Sequence, residues 1–491
     1  MRVLFIDIDT LRPDHMGCYG YGRNTTPNID SVAREGVRFD RYYCSDAPCL
    51  PSRAALVSGT FGIKNGIVGH GGTAADRFSE ATHRGFTDPR DTWNFHNIFR
   101  RAGLYTASVS TFSERHSAWW FQAGFQEIYN QGGQGMESGE TILPYALEWL
   151  DRNREKDNWY LHVHFWDPHT PYRAPEEFGN PFENEELPDN WIDDEVFLQH
   201  KKHVGPHSAN EIHMWDDQEF PQWPRYLGKL DSLSDVKRQI DGYDTGVAYA
   251  DYLTGQIFFK LKEMGIYEET AIVITADHGE NLGELGLYSE HATADEPCCH
   301  IPLIIKWPGC KQGYEDKELH YNVDLAPTMA DLLQVAKADF WDGESMAANI
   351  QKGDKKGRDS LVLSQMAHVC QRSAIFGDWL YIRTLHDGFH LFDKEMLFNL
   401  RDDPHEQRNV KEQYPGICDK GARIILNWQE KALLESRQKQ DPMWTVLNEN
   451  GPYHTWGALD NYIKRLKETG REDGAEKLEE KYGKRDEKYE E

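Results

Sequence analysis

Three short apolar runs in this chain each end in a polar cluster, and no other feature limits the fold as strongly. Residues 3–8 run into Asp9-Thr10-Leu11-Arg12, Trp159–Phe165 into Asp167-Pro168-His169, and residues 271–275 into Asp277-His278-Gly279. Short apolar runs without alternation read as strands covered on both faces. Helical spacing falls between them: at 28–36, at 52–57 after Pro51, and at 244–264. Strands alternating with helices imply an α/β fold with a large, mostly parallel sheet sandwiched by helices. Ligands of such sheets sit outside the carboxyl ends of the strands, so the three polar clusters mark one shared edge.

A chain of 491 residues exceeds one compact core. Residues 1–354 are expected to form the larger domain. Within it, 176–235 carries many Asp, Glu, His, Pro and Trp residues with little periodicity, and reads as an ordered insertion or lid. Residues 355–491 read as a smaller α+β subdomain, with strands at 379–383 and 389–392, then helices. The Lys- and Glu-dense tail from Asp460 reads as a solvated helix or frayed end. No apolar run reaches membrane-spanning length, so no membrane partner is expected. The opening MRVLFIDIDT is broken by Asp7 and Asp9 and is too short for a signal-peptide core, which points to a cytoplasmic protein. Eight cysteines without a CxxC pair fit reduced thiols. The net charge of −27 argues against nucleic acid and against long polyanions.

The chemistry-bearing residues sit at the shared edge. Cys49-Leu50-Pro51-Ser52-Arg53 opens a Pro-initiated helix, a setting that also suits a buried structural cysteine. Asp277-His278-Gly279-Glu280 offers carboxylate oxygens for a hard divalent cation and an imidazole that widens the choice of metal. The same four residues also fit a plain strand-end turn. Asp7 shares a strand face with Asp9 and suits either metal support or an ion pair with a basic residue.

Cys49-Leu50-Pro51-Ser52-Arg53 resembles the C-x-P-S-R signature of the formylglycine-dependent sulfatases, type I members of the alkaline-phosphatase-like superfamily. The resemblance extends through Gly17-Cys18-Tyr19-Gly20-Tyr21, Thr26-Pro27-Asn28-Ile29-Asp30, Asp167-Pro168-His169-Thr170-Pro171-Tyr172, His300-Ile301-Pro302 and Asp403-Pro404-His405-Glu406. It implies that a maturation enzyme oxidises Cys49 to formylglycine. The hydrated aldehyde then offers one hydroxyl to attack sulfur and one to expel sulfate. Arg53 would hold that hydrate, so its loss should stop turnover without unfolding the chain. Asp9, Asp277 and His278, with residue 49 and Asp7 close by, would hold one divalent ion: calcium first, manganese or zinc open. His169 and His291 would contact sulfate or protonate the leaving oxygen.

The chain departs from the family twice. A second acid beside Asp9 is replaced by Thr10. The Lys and His of a G-K-W-H element align with Thr111 and Ser113, leaving Arg115, His116, Lys64 or His70 as substitutes for substrate binding. The expected substrate is a small sulfated saccharide attacked from its end, a glycosaminoglycan fragment among the options. Trp119, Trp120, Trp166, Trp191, Trp215 and Trp223 are placed to stack on sugar rings. The alternatives are a phosphonate monoester or phosphodiester hydrolase, a phosphotransferase-like relative using the Cys49 thiol, and an inactive sulfated-sugar binding protein.

Overall fold

A computed structural model describes residues 1–78 and 88–483. Eight strands form the central sheet in the spatial order Tyr314–Tyr321, Val37–Tyr43, Leu303–Lys306, Thr270–Thr275, Arg2–Ile8, Trp159–Phe165, Tyr105–Val109, Glu127–Tyr129. Every neighbouring pair is parallel except those made by Leu303–Lys306, which runs against both partners. The three strands read from sequence are adjacent at the centre, where Asp7 pairs in register with His164 on one side and Thr275 on the other. Asp9 and Asp277 therefore leave the same edge. Two helix groups cover the sheet. Pro27–Glu35 and Gly139–Arg152 both pack on Leu233–Glu263, while Cys49–Ser58, Phe95–Arg101 and Leu325–Leu332 pack on one another.

The helix expected at 52–57 begins three residues earlier, at Cys49, with Pro51 in its first turn. Every residue of Cys49–Ser58 is buried. It stops at Gly59, whose φ of 68° favours glycine and whose added Cβ would stand 2.5 Å from Trp341. The helix expected at 244–264 starts earlier too, at Leu233, because Ser232 caps it by accepting from the Asp235 amide.

A second sheet runs Glu395–Asn399, Trp379–His386, Cys370–Phe376, Leu361–Gln365 and then the short strand Asp46–Ala47. One apolar core joins the sheets, with Leu4, Ile6 and Ile274 in the same cluster as Leu361, Ile375 and Leu380. Residues 389–392 are not a strand. Phe389 and Leu391 adopt φ of 72° and 57°, which no strand accommodates. Nor is the charged tail merely solvated. Helices Leu459–Glu468 and Glu472–Tyr482 pair, and Tyr462, Ile463, Leu466, Ala475 and Leu478 bury one face with Val204 and Phe389. High charge on the outer face hides this stripe from a composition reading. Leu466 is fully buried there, so Leu466→Ala is expected to cost about 2–5 kcal/mol in chemical denaturation. Among the described residues no helix is long and apolar enough to cross a membrane.

Candidate active site

The first turn of Cys49–Ser58 faces the strand ends, and Cys49 Sγ lies 3.0 Å from His278 Nε2. His278 Nδ1 donates to the Gly279 carbonyl at 2.8 Å, which leaves Nε2 a bare acceptor toward the cluster. One helical turn after Cys49, Arg53 reaches beneath it. Its guanidinium pairs with Asp7 through one nitrogen; the other stands 2.9 Å from Asp9, 3.2 Å from Asp277 and 2.9 Å from His164. His162 and His164 alternate on Trp159–Phe165 and face Asp7 and Asp9 at 3.5 and 3.3 Å.

Burial raises Asp277 well above the usual carboxylate range, Arg53 opposes this, and the charges of Asp9 and Asp7 add to the rise. Asp9 stays well below that range: burial works against ionisation, and His164, His169 and Arg53 outweigh it. Burial, then Asp9 and Asp277, hold the Cys49 thiol protonated. Asp9 Oδ1 and Asp277 Oδ2 are buried and accept no hydrogen bond among the described residues. Ligand atoms of Asp9, Cys49, Asp277 and His278 lie within 4.8 Å of one another. Carboxylate oxygens without hydrogen bonds, facing an imidazole acceptor, are a donor set that suits a divalent ion. Asp7 stands outside this group, its carboxylate taken by Arg53 and His162.

A wall of imidazoles closes the other side. His291 rings lie 4.1 Å from His278 and 5.5 Å from His169, and His291 Nε2 meets Glu290 at 2.7 Å. His368, His454, His70 and His116 continue the wall. Burial lowers His278, His70 and His368 well below the usual imidazole range, His169 and His116 to about 3 and His454 to about 4, so these six rings rest neutral. Of the four substitutes read from sequence, His70 and His116 thus join the wall. Arg115 borders it, over the Trp166 ring at 5.4 Å. Lys64 is engaged elsewhere, with Asp342 at 2.5 Å and Glu435 at 3.2 Å. Thr111 donates to Glu137 and accepts from Trp166, and Ser113 accepts from Gln122.

The tryptophans do not form one sugar platform. Trp120 and Trp166 are core residues, Trp215 packs on Phe389 and Tyr462, and Trp191 stacks on His405. Trp119 is 63% exposed. Trp223 lines a cavity of about 580 Å³ with Glu137, Tyr172 and Arg173. The sequence motifs do not single out His162, His164, His207, Glu290, His368 and His454. Alternating His in the apolar WYLHVHF run is a visible signal; the others sit in short elements and loops with no local pattern.

A helix turn bearing Cys49, a buried guanidinium and an Asp-Asp-His group stand at the carboxyl edge of a mostly parallel sheet of alkaline-phosphatase-like architecture. The family model described as Sulfatase matches residues 2–335, and one described as N-sulphoglucosamine sulphohydrolase, C-terminal, matches 283–417. The chain belongs to the sulfatase family and is a sulfuric ester hydrolase. It is 26% identical over 492 residues to a choline-sulfatase of Rhizobium meliloti (strain 1021), covering 88% of each chain. Its fold matches that of BT4656, solved in complex with its substrate D-glucosamine-2-N,6-O-disulfate, at a TM-score of 0.69 and 19% identity, over 90% of this chain and 99% of that one. It also matches the phosphonate monoester hydrolase of Agrobacterium radiobacter at a TM-score of 0.63 and 20% identity, over 92% and 99%.

Proposed function

We propose that this enzyme removes sulfate from the end of a small sulfated saccharide, using residue 49 matured to formylglycine and one divalent ion held by Asp9, Asp277, His278 and residue 49. The observation that carries this reading is the placement of Cys49 against Nε2 of His278, beside two buried carboxylate oxygens that accept no hydrogen bond among the described residues. When bound, the ion supplies Lewis-acid charge to the sulfate oxygens and the hydrated aldehyde supplies the attacking hydroxyl. Calcium suits the carboxylates; His278 keeps manganese and zinc open. An unmodified thiol would be a poor nucleophile here, because burial and two aspartates oppose the thiolate.

Arg53 fixes the three aspartates beneath residue 49 and offsets their charge. His291, its Nε2–H held by Glu290, presents an Nδ1 that makes no hydrogen bond. His169 keeps its Nδ1 proton on the Thr170 carbonyl at 2.5 Å, so its Nε2 is also an acceptor. The first proton to move is therefore taken by His291 Nδ1 or His169 Nε2, and the same group then returns a proton to the leaving oxygen. A net charge of −27 supports a substrate with few sulfates. The glucosamine disulfate bound by a protein of the same fold supports a sugar.

The test pairs peptide mass analysis of residue 49 with kcat/KM for sulfated mono- and disaccharides, choline sulfate, a sulfated polymer, and phosphonate or phosphate diesters. The thiol-to-aldehyde mass loss and fastest turnover of a sulfated mono- or disaccharide are expected. Preference for internal sulfates of the polymer overturns end attack, and faster phosphodiester turnover moves the enzyme to the phosphonate hydrolase class.

A further inference from the structure

Trp223 lies in the 176–235 segment, in a stretch that is neither helix nor strand. Its ring packs on Phe220 at 5.5 Å and lines a cavity of about 580 Å³. Small-ligand pockets occupy roughly 300–1,000 Å³. The ring is held in place. The Trp223 amide donates to the Phe220 carbonyl at 2.8 Å and its carbonyl accepts from the Tyr226 amide at 3.0 Å. Arg225 ties the same stretch to the Pro175 and Gly179 carbonyls at 3.2 and 2.8 Å. An aromatic surface fixed in this way loses little entropy on binding.

The inner charges of the lining are already engaged. Arg173 donates to the Thr170 and Gly135 carbonyls at 2.8 and 2.6 Å. Glu137 accepts from the Gly133 and Gly135 amides and from the Thr111 hydroxyl. The groups left over are uncharged. Gln131 Nε2 donates to the Tyr129 carbonyl at 3.5 Å, while its Oε1 is buried and accepts no hydrogen bond among the described residues. Ser138 precedes the helix Gly139–Arg152 without capping it through its hydroxyl. A buried acceptor without a donor is unfavourable, and a ligand hydroxyl would supply one. An indole face, an unused amide oxygen and a hydroxyl together suit a sugar ring, which stacks through its C–H face and hydrogen-bonds through its edge.

Arg173 sets the cavity beside the chemistry. It lines the cavity, and the Thr170 carbonyl to which it donates also accepts from His169 Nδ1 at 2.5 Å. One guanidinium therefore separates the cavity from His169. A second chain of contacts spans the same gap: Glu137 accepts from Thr111, Thr111 accepts from Trp166 Nε1 at 2.8 Å, and the Trp166 ring lies 5.9 Å from that of His169.

We propose that this cavity seats the sugar ring next to the one that carries the scissile sulfate, with Trp223 as its stacking platform and Gln131 as its hydrogen-bond acceptor. The seated ring is uncharged, because Arg173 is committed to carbonyl oxygens and Glu137 repels an anion. The inference rests on the reading of the enzyme as a saccharide sulfatase, and it makes Trp223 and Gln131 specificity-determining residues.

The experiment takes full-length, matured enzyme and compares kcat/KM for the monosulfates of N-acetylglucosamine and N-acetylgalactosamine, each alone and with one uncharged hexose on its anomeric oxygen. The parent should favour the disaccharides. In Trp223→Ala the ratio of disaccharide to monosaccharide kcat/KM should fall roughly tenfold, through KM rather than kcat, as the loss of one buried aromatic face implies. Trp223→Phe should restore most of the ratio, and Gln131→Leu should lower it. Crystals soaked with the corresponding unsulfated disaccharides should hold a ring beside Trp223, a readout that needs neither turnover nor residue 49. An unchanged ratio in a folded Trp223→Ala enzyme, or a soaked crystal with no ring in the cavity, overturns the subsite. Absence of turnover on every sulfated sugar overturns the saccharide sulfatase reading instead, and the soaked crystal then still decides whether the cavity binds a sugar.

Discussion

Replacing Cys49 by alanine is expected to lower kcat by roughly four orders of magnitude or more, as loss of an enzyme's own nucleophile does, while the protein still folds. Cys49 is 1% exposed in the first turn of a wholly buried helix, and among the described residues its sulfur has a hydrogen-bonding partner only in His278. Alanine keeps the Cβ, favours the helix and leaves no new polar group unsatisfied. The His278 nitrogen loses a weak partner that a bound ion would replace. On the proposed mechanism the change would remove the attacking oxygen of residue 49 and little else. Turnover of a sulfated sugar, with thermal unfolding as the control, checks this. Near-normal turnover in a well-folded Cys49→Ala protein would remove residue 49 from the chemistry. Cys49→Ser should fail equally unless the maturation enzyme accepts serine.

The elements legible in sequence were those whose periodicity is set by burial alone. Trp159–Phe165 is covered on both faces and reads as an apolar run interrupted only by His162 and His164, so its ends are visible to the residue. The start of Leu233–Glu263 was not, because its first turns carry Asp235, Lys237 and Arg238 on the outer face and only a serine cap announces them. Residues 389–392 look like a strand because Phe389 and Phe392 are aromatic. Tertiary packing decides otherwise: Phe389 is buried against Tyr462 and Tyr482 from helices about seventy residues or more further along. The same limit governs the site. Asp9, Cys49, Arg53, Asp277 and His278 sit in short motifs at strand or helix ends, so their convergence follows from topology. Glu290 faces His207 and His368, which come from two loops with no shared pattern, and only coordinates bring them together.

Arg53→Ala is expected to lose stability as well as activity, because of where its guanidinium lies. A reading of Arg53 as a side chain that only binds the hydrate implies lost turnover at unchanged stability. Its side chain is instead 1% exposed, ion-paired with Asp7, Asp9 and Asp277, and seated over the Phe112 ring at 4.9 Å. Removing one partner of a buried ion pair leaves uncompensated charge and costs about 3–5 kcal/mol. Here one guanidinium serves three carboxylates, and its loss brings their mutual repulsion into force. The same step removes charge from beneath the sulfate, and a fall in kcat of about 10²–10³ or more follows from losing one such electrostatic group. Added divalent ion should recover part of the stability, since an ion that binds only the folded state stabilises it by mass action. The gain in Tm on adding calcium or manganese should therefore be larger for Arg53→Ala than for the parent. Arg53→Lys should fall between the two, because one ammonium carries the charge but lacks the fork that reaches two aspartates at once. An Arg53→Ala protein that melts with the parent, with or without added ion, would show that the aspartates do not depend on this guanidinium and would return Arg53 to the role of holding the hydrate alone.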